Sequence, residues 1–263
     1  MGAITVGVLG ATGRMGAEVC RAVHADADLE LVAAVDPAAA PCDLRDATGV
    51  DVDVSVESSI DSMARSDAQV VVDFTTHAAS MENLPALADA GIHCVVGTTG
   101  FSESDIVSLR EAFHTSNALL APNFAIGAVL MMRFAELAAP WFESAEVIEL
   151  HHENKIDSPS GTAMRTVERM AEASGQWTPD PTRTETIAGA RGSEGPAGIR
   201  VHSVRLRGLV AHQEVLLGGE GQTLSIRHDS LDRTSFMAGV VLAAKRVPEL
   251  PGLTIGLDSL LGL

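Results

Sequence analysis

The sequence predicts an α/β protein, with a parallel sheet in its first half and an α+β arrangement in its second. Two observations carry that expectation. A short apolar run, Ile4–Leu9, leads through a glycine-rich turn into a helical pattern, and strands and helices then alternate as far as residue 123. Beyond that point the alternation stops, and strand-like segments follow one another without helices between them.

Ile4–Leu9 has the continuous hydrophobicity of a strand buried on both faces. Gly10, Ala11, Thr12, Gly13, Arg14 and Met15 follow, then Gly16 and a helical pattern through Val19, Cys20, Ala22 and Val23. Side-chain-free positions in such a turn let backbone N–H groups approach a pyrophosphate at a helix N-terminus, where the dipole favours an anion. A second strand, Leu29–Val35, ends in Asp36, where a Rossmann-type unit places the carboxylate that accepts from the adenosine ribose. A nicotinamide dinucleotide, NADH or NADPH, is therefore the expected cofactor. Asp36 repels a 2′-phosphate and Pro37 supplies no neutralising charge, which favours NADH. Arg14 reads either as a group that reaches a 2′-phosphate, allowing dual use, or as a solvated helix-start residue.

Val50, Val52, Val54 and Val56 alternate with polar residues and predict a half-exposed strand, followed by a short helix over 58–65 and a buried strand over 69–73. A helix running to residue 90, a strand at His93–Val96, a helix over 102–114 and a strand over 118–121 complete the pattern. In an open parallel sheet the ligand crevice lies at the carboxyl ends of the strands. That places Asp73 to Thr75, Gly97, Thr98 and Thr99, and Ala121, Pro122, Asn123 and Phe124 in the crevice, as cofactor or substrate contacts.

The second half begins with an apolar helix over 127–139 and a strand over 145–150. Next comes E-L-H-H-E-N-K-I-D-S-P-S-G-T-A, residues 149–163, and a helix for which Ser160 is the N-cap. Residues 178–200, rich in Gly, Pro and Thr, are either a mobile loop or an arm at a subunit interface. Strands over 201–207, 210–217 and 223–227 then form a sheet of mainly hairpin-like neighbours, and a helix over 234–247 returns to the first domain. The expected division is 1–125 with 236–263 as the dinucleotide-binding domain, and 126–235 as the substrate-binding and oligomerisation domain.

Composition narrows the function. A net charge of −17 argues against nucleic acid or an anionic membrane as partner, since no basic face is available. No apolar run reaches the ~18 residues of a membrane span. Cys20, Cys42 and Cys94 are odd in number and lack ligand spacing, so neither a disulfide framework nor a metal site is expected. The N-terminal residues run directly into a strand without the layout of a signal peptide, and the expectation is a cytoplasmic protein.

The chemistry is expected in 149–163. Lys and Arg total 18, yet only Lys155 and Lys245 are lysines. A lysine kept beside His151 and His152 suits a role arginine cannot fill, because only lysine can give up a proton near neutral pH. Histidine supplies or takes a proton in the same range. The helix start at Gly161 and Thr162 is a ready carboxylate site, and Lys155 adds a full charge, which together suit a small substrate with more than one carboxylate.

Over essentially its whole length the chain resembles the bacterial 4-hydroxy-tetrahydrodipicolinate reductases (dihydrodipicolinate reductases) of the diaminopimelate route to lysine. The resemblance rests on G-A-T-G-R-M-G (10–16), V-G-T-T-G-F (96–101), A-P-N-F-A-I-G (121–127) and, most specifically, the segment 149–163. It implies that His151 is the proton donor/acceptor and Lys155 a proton donor, and that His152, Lys155, Ser160, Gly161 and Thr162 bind the substrate. It also implies that residues 10–15, Asp36, 97–99 and 121–124 hold NAD(P)H, and that the assembly is a homotetramer built through the sheets of the second domains. Some members carry Glu-Arg where this chain has Asp36-Pro37, and Glu153 adds a negative charge next to the segment for which the sequence offers no account. Two rivals share this outline: another two-domain NAD(P)-dependent oxidoreductase, and a cofactor-binding sensor without catalysis.

Overall fold

The computed structural model describes residues 2–263. Its strands, in chain order, are β1 (Ile4–Leu9), β2 (Leu29–Val35), β3 (Cys42–Asp43), β4 (Ser55–Glu57), β5 (Val70–Asp73), β6 (His93–Val96), β7 (Ala118–Leu120), β8 (Ser144–His151), β9 (Ser193–Glu194), β10 (Arg200–Arg205), β11 (Ala211–Gly219), β12 (Gln222–Ser230) and β13 (Leu253–Ile255). Its helices are α1 (Arg14–Ala25), α2 (Leu44–Thr48), α3 (Asp61–Arg65), α4 (His77–Asp89), α5 (Glu103–Ala112), α6 (Ile126–Ala138), α7 (Gly161–Ala173), α8 (Met237–Arg246) and α9 (Asp258–Leu261). The chain forms two compact units: Met1–Phe124 with Phe236–Leu263, and Ala125–Ser235.

The first unit is built on a sheet of order β13-β7-β6-β5-β1-β2-β4-β3. Its ladders are parallel from β13 through β4, and only β3 runs antiparallel. Val6, Val8, Val70, Val71, Val72, Cys94 and Val95 are wholly buried. Such continuous burial is what a sheet covered on both faces demands, and it explains the unbroken apolar runs. Helix starts follow local chemistry: Ser102 and Asp105 form a reciprocal capping box at α5, and Thr76 accepts from the Ala79 N–H at α4.

Two expectations for this unit need correction. The strand expected at residues 50–56 shrinks to β4, since the Val52 N–H bonds the Val50 carbonyl (2.9 Å) and the Val54 carbonyl takes the Leu44 N–H (3.0 Å). These backbone groups are spent locally and cannot join a ladder. The second is an omission: the C-terminal segment supplies a strand, β13, paired in parallel with β7.

The second unit carries a sheet of order β12-β11-β8-β10-β9. β11 and β12 form the expected hairpin, but β10 lies parallel to β8. The description as hairpin-like neighbours therefore holds for only part of it. A parallel neighbour needs a long crossover, and here α7 and the segment after it supply one. That segment is tied to its own unit. Asp180 meets Arg191 (3.3 Å) and Arg200 (3.0 Å), and Arg191 reaches Glu146 of β8 (2.6 Å). The core lies between α6, α7 and one face of the sheet, where Ala135, Val147, Val167, Met170 and Val215 are wholly buried. Among the described residues, no helix is long and apolar enough to cross a membrane.

Candidate active site

In the first unit, the residues expected to hold a cofactor lie along one edge of the sheet, beyond the carboxyl ends of β2, β1, β6 and β7. Gly10 adopts a left-handed conformation (φ 71°), which any side chain would strain. Its N–H and that of Ala11 both bond the Val35 carbonyl, at 2.8 and 3.2 Å. A Cβ on Gly16 would stand 2.0 Å from the Gly10 carbonyl oxygen, so the first turn of α1 can sit on the loop only without a side chain there. Gly13 caps α1 with no side-chain hydrogen bond, and no acidic residue occupies the first turn. A helix start with no side chain over it and no acidic residue in its first turn fits a pyrophosphate.

Asp36 is fastened to this loop. Its Oδ2 accepts from the Thr12 N–H (3.2 Å) and the Thr12 hydroxyl, and its Oδ1 from the Ala38 N–H (3.2 Å). Arg14 and Pro37 are exposed. Beside the loop, a cavity of about 440 Å³ is lined by Gly10, Pro37, Ser58, Thr75, Glu82 and Asn83 among others, and none of its lining residues is basic. Thr98 is buried with its hydroxyl on the Thr75 carbonyl (3.2 Å), while Thr99 is exposed. A Cβ on Gly97 would come within 2.1 Å of the Phe74 ring, which packs against Phe124 with centroids 5.7 Å apart. Ala121 bonds the Val96 carbonyl (3.0 Å), Pro122 is exposed and Asn123 is half-buried. Asp73, wholly buried at the end of β5, accepts from Thr75 N (2.8 Å), Thr75 Oγ1 (2.6 Å) and Ser80 Oγ (2.7 Å). The sequence places Asp73 to Thr75 at the crevice but gives no sign of Glu82 and Asn83, because nothing local distinguishes these two from ordinary helix residues.

In the second unit, β8 ends at His151. Alternation along the strand puts Glu149 on the same face as His151. Glu149 is a wholly buried carboxylate, and its Oε2 bonds His151 Nδ1. Arg205 lies opposite His151 in the β8–β10 register, and its guanidinium reaches back to grip both Glu149 oxygens at 2.9 Å each. Burial works to raise the Glu149 carboxyl, but hydrogen bonds from His151 and Arg205 outweigh it and bring it down to about 2. It is therefore an anion at neutral pH.

Arg205 also donates to the Asp157 carbonyl (2.7 Å), tying down the loop that carries Lys155. Lys155 Nζ meets the Asp157 carboxylate at 2.7 and 2.9 Å, and its hydrogen bonds hold that carboxyl below the usual range. His152 is exposed. Ser160 is buried and caps α7 by accepting from the Ala163 N–H (3.2 Å), with Gly161 exposed and Thr162 half-buried at the helix start. Glu153, unexplained by the sequence, pairs with Arg207 at 3.1 Å. Glu149 and Arg205 are the residues the sequence reading missed here. The two-residue spacing of Glu149 from His151 was a usable signal, whereas Arg205 lies 56 positions from Glu149 and left none. Among the described residues no cluster of His, Cys, Asp and Glu is arranged to hold a metal ion.

Comparison with known proteins decides the family. The model described as "Dihydrodipicolinate reductase, N-terminus" matches residues 4–124, and "Dihydrodipicolinate reductase, C-terminus" matches residues 127–261. The chain belongs to the dihydrodipicolinate reductase family. The 4-hydroxy-tetrahydrodipicolinate reductase of Mycolicibacterium vanbaalenii is 52% identical over 98% of this chain and 99% of that one. Its namesake from Streptomyces coelicolor is 48% identical over the full length of both. The dipicolinate-bound dihydrodipicolinate reductase from Paenisporosarcina sp. TG-14 superposes with a TM-score of 0.86 at 39% identity, covering 98% of this chain and 99% of that chain. Both units of this family member thus have counterparts in one solved structure.

Proposed function

We propose that the protein reduces 4-hydroxy-tetrahydrodipicolinate to tetrahydrodipicolinate and water with NAD(P)H, in the diaminopimelate route to lysine. The observation that carries the reading is the pairing, in one chain of this family, of a loop that fits a pyrophosphate with a histidine held by a buried carboxylate. The nicotinamide, when bound, supplies the hydride, and one proton completes the balance as hydroxide leaves as water.

The chain's own residues bind and manage protons. His151 holds or releases the proton at Nε2, since Nδ1 is committed to Glu149. Lys155 has three N–H donors and spends two directions on Asp157, leaving one for a substrate carboxylate or a departing oxygen. The exposed N–H of Gly161, with Thr162 and His152, binds carboxylate at the start of α7, where the helix end adds ~0.3–2 kcal/mol. Ser160 positions that start by capping α7.

NADH is the favoured cofactor. Asp36 is pinned beside the loop, Pro37 adds no charge, and the adjoining cavity presents Glu82 and no basic side chain to a 2′-phosphate. We further propose a cytoplasmic homotetramer. Purified protein supplied with freshly generated substrate is expected to oxidise NADH, with a higher KM for NADPH. Oxidation of neither cofactor would overturn the function, and a lower KM for NADPH would overturn the preference. Sedimentation velocity checks the tetramer. A non-catalytic sensor would instead leave diaminopimelate-independent growth intact in His151→Ala cells.

A further inference from the structure

The geometry of the buried ion pair of Glu149 and Arg205 bears on the proton chemistry. Glu149 is ionised, so it can only accept, and the hydrogen bond to His151 requires the proton on Nδ1. The ring nitrogen left for chemistry is then Nε2. Arg205 sets the aim of that carboxylate. Its fork takes Oε1 with Nη2 and Oε2 with Nη1, both at 2.9 Å, which fixes the carboxylate plane and leaves Oε2 shared with the imidazole. The same Nη2 donates to the Asp157 carbonyl, whose side chain in turn holds Lys155. One guanidinium therefore anchors both groups that handle protons.

The sheet positions paired with Glu149 are uncharged. Ser203 on β10 and Gln213 on β11 lie beside Glu149 in the sheet register, and α7 packs over this part of the unit with Ala163, Thr166 and Val167. Gln213 is itself turned to Thr166 (2.7 Å). Among the described residues, the charged side chain hydrogen-bonded to the Glu149–His151 pair is Arg205, which links it to the loop of Asp157 and Lys155.

We propose that Glu149 and Arg205 are positioning residues for the acid–base step: together they hold His151 in the tautomer that presents Nε2, and they register Lys155 against it. The inference rests on the reading of His151 as the acid–base group. A buried ion pair of purely structural use would contribute to folding but would not set a tautomer. The two readings differ in what the isosteric Glu149→Gln enzyme does. A glutamine can offer an N–H to Nδ1 and so move the imidazole proton to Nε2, removing the base.

The decisive measurement is ¹⁵N NMR of the full-length protein with labelled histidine, His151 being assigned by comparison with His151→Ala. Neutral His151 is expected to carry its proton on Nδ1 in the wild type and on Nε2 in Glu149→Gln. In the same variant kcat is expected to fall by ~10²–10⁴, as for other loss of an oriented acid–base group, with KM and NADH affinity within about twofold of wild type. Arg205→Lys keeps the charge but loses the fork, and should lose less in kcat than Glu149→Gln. A wild-type proton on Nε2, or a folded Glu149→Gln enzyme with kcat within about twofold of wild type, would overturn the proposal. Should the glutamine variant fail to fold, the wild-type tautomer decides alone. An inactive wild type would overturn the function proposed above, while the tautomer would still settle the positioning.

Discussion

The turn after β1 and the segment after β8 are built by opposite means. The first is made of backbone. Gly10 bends the chain, the N–H groups of Gly10 and Ala11 share one carbonyl, and Gly16 lets α1 sit directly on the loop. The second is made of side chains: Glu149, His151, Arg205, Asp157 and Lys155 form one chain of hydrogen bonds drawn from two strands and a loop. A backbone-built site depends on what is absent at a few adjacent positions. A side-chain-built site depends on partners that folding brings together from far apart. Sensitivity to substitution should differ accordingly.

The widest separation is expected at the histidine. His151→Ala should lower kcat by ~10²–10⁴ while leaving NADH affinity, measured by fluorescence titration, unchanged. Loss of NADH affinity in that variant would break the distinction, because it would mean that the two regions do not act separately. Lys155→Arg keeps a cation that cannot deprotonate, and is expected to keep KM close to that of the wild type while losing most turnover. If turnover survived, Lys155 would reduce to a charge. On the backbone side, Gly16→Ala drives a Cβ into the Gly10 carbonyl, for which overpacking costs of ~1–3 kcal/mol apply. Thermal melting should show that loss, together with weaker NADH binding.

A pH dependence follows from Glu149. Its folded carboxyl lies at about 2, below its unfolded value. The unfolded state therefore binds protons more readily, and the stability this group contributes is complete above the unfolded value of ~4.3. That contribution is lost as pH falls through that value toward about 2. Denaturant titrations between these limits should show the decline in the wild type and a shallower one in Glu149→Gln. The smallest effect is expected at Ser160→Ala, which removes the cap of α7 and should cost ~1 kcal/mol. Its urea midpoint would shift with little change in NADH binding.

The difference between the regions also explains what could be read in advance. The glycine turn, the strands flanking it and the N-cap at Ser160 are consequences of local rules: φ > 0 needs glycine, burial on both faces needs a continuous apolar run, and a helix start needs a short acceptor. Adjacent residues satisfy such rules, so composition and order suffice. The alternating valines at 50–56 show the limit, because alternation predicted a ladder while competition from Leu44 and a tight local turn removed the groups it needs. β13 was invisible for the complementary reason: a short segment becomes a strand only when β7 offers it an open edge.

By itself, then, the sequence determined an α/β chain with a dinucleotide turn near its start, a histidine–lysine segment in its second half and a family resemblance that full-length relatives support. Only the tertiary structure decided that Glu149 is a buried anion rather than one more surface carboxylate, and that Arg205 grips it from the neighbouring strand. The physical reason is range. Backbone conformation is governed by a residue and its immediate neighbours, whereas an ion pair across 56 positions exists only after β10 has come to lie parallel to β8.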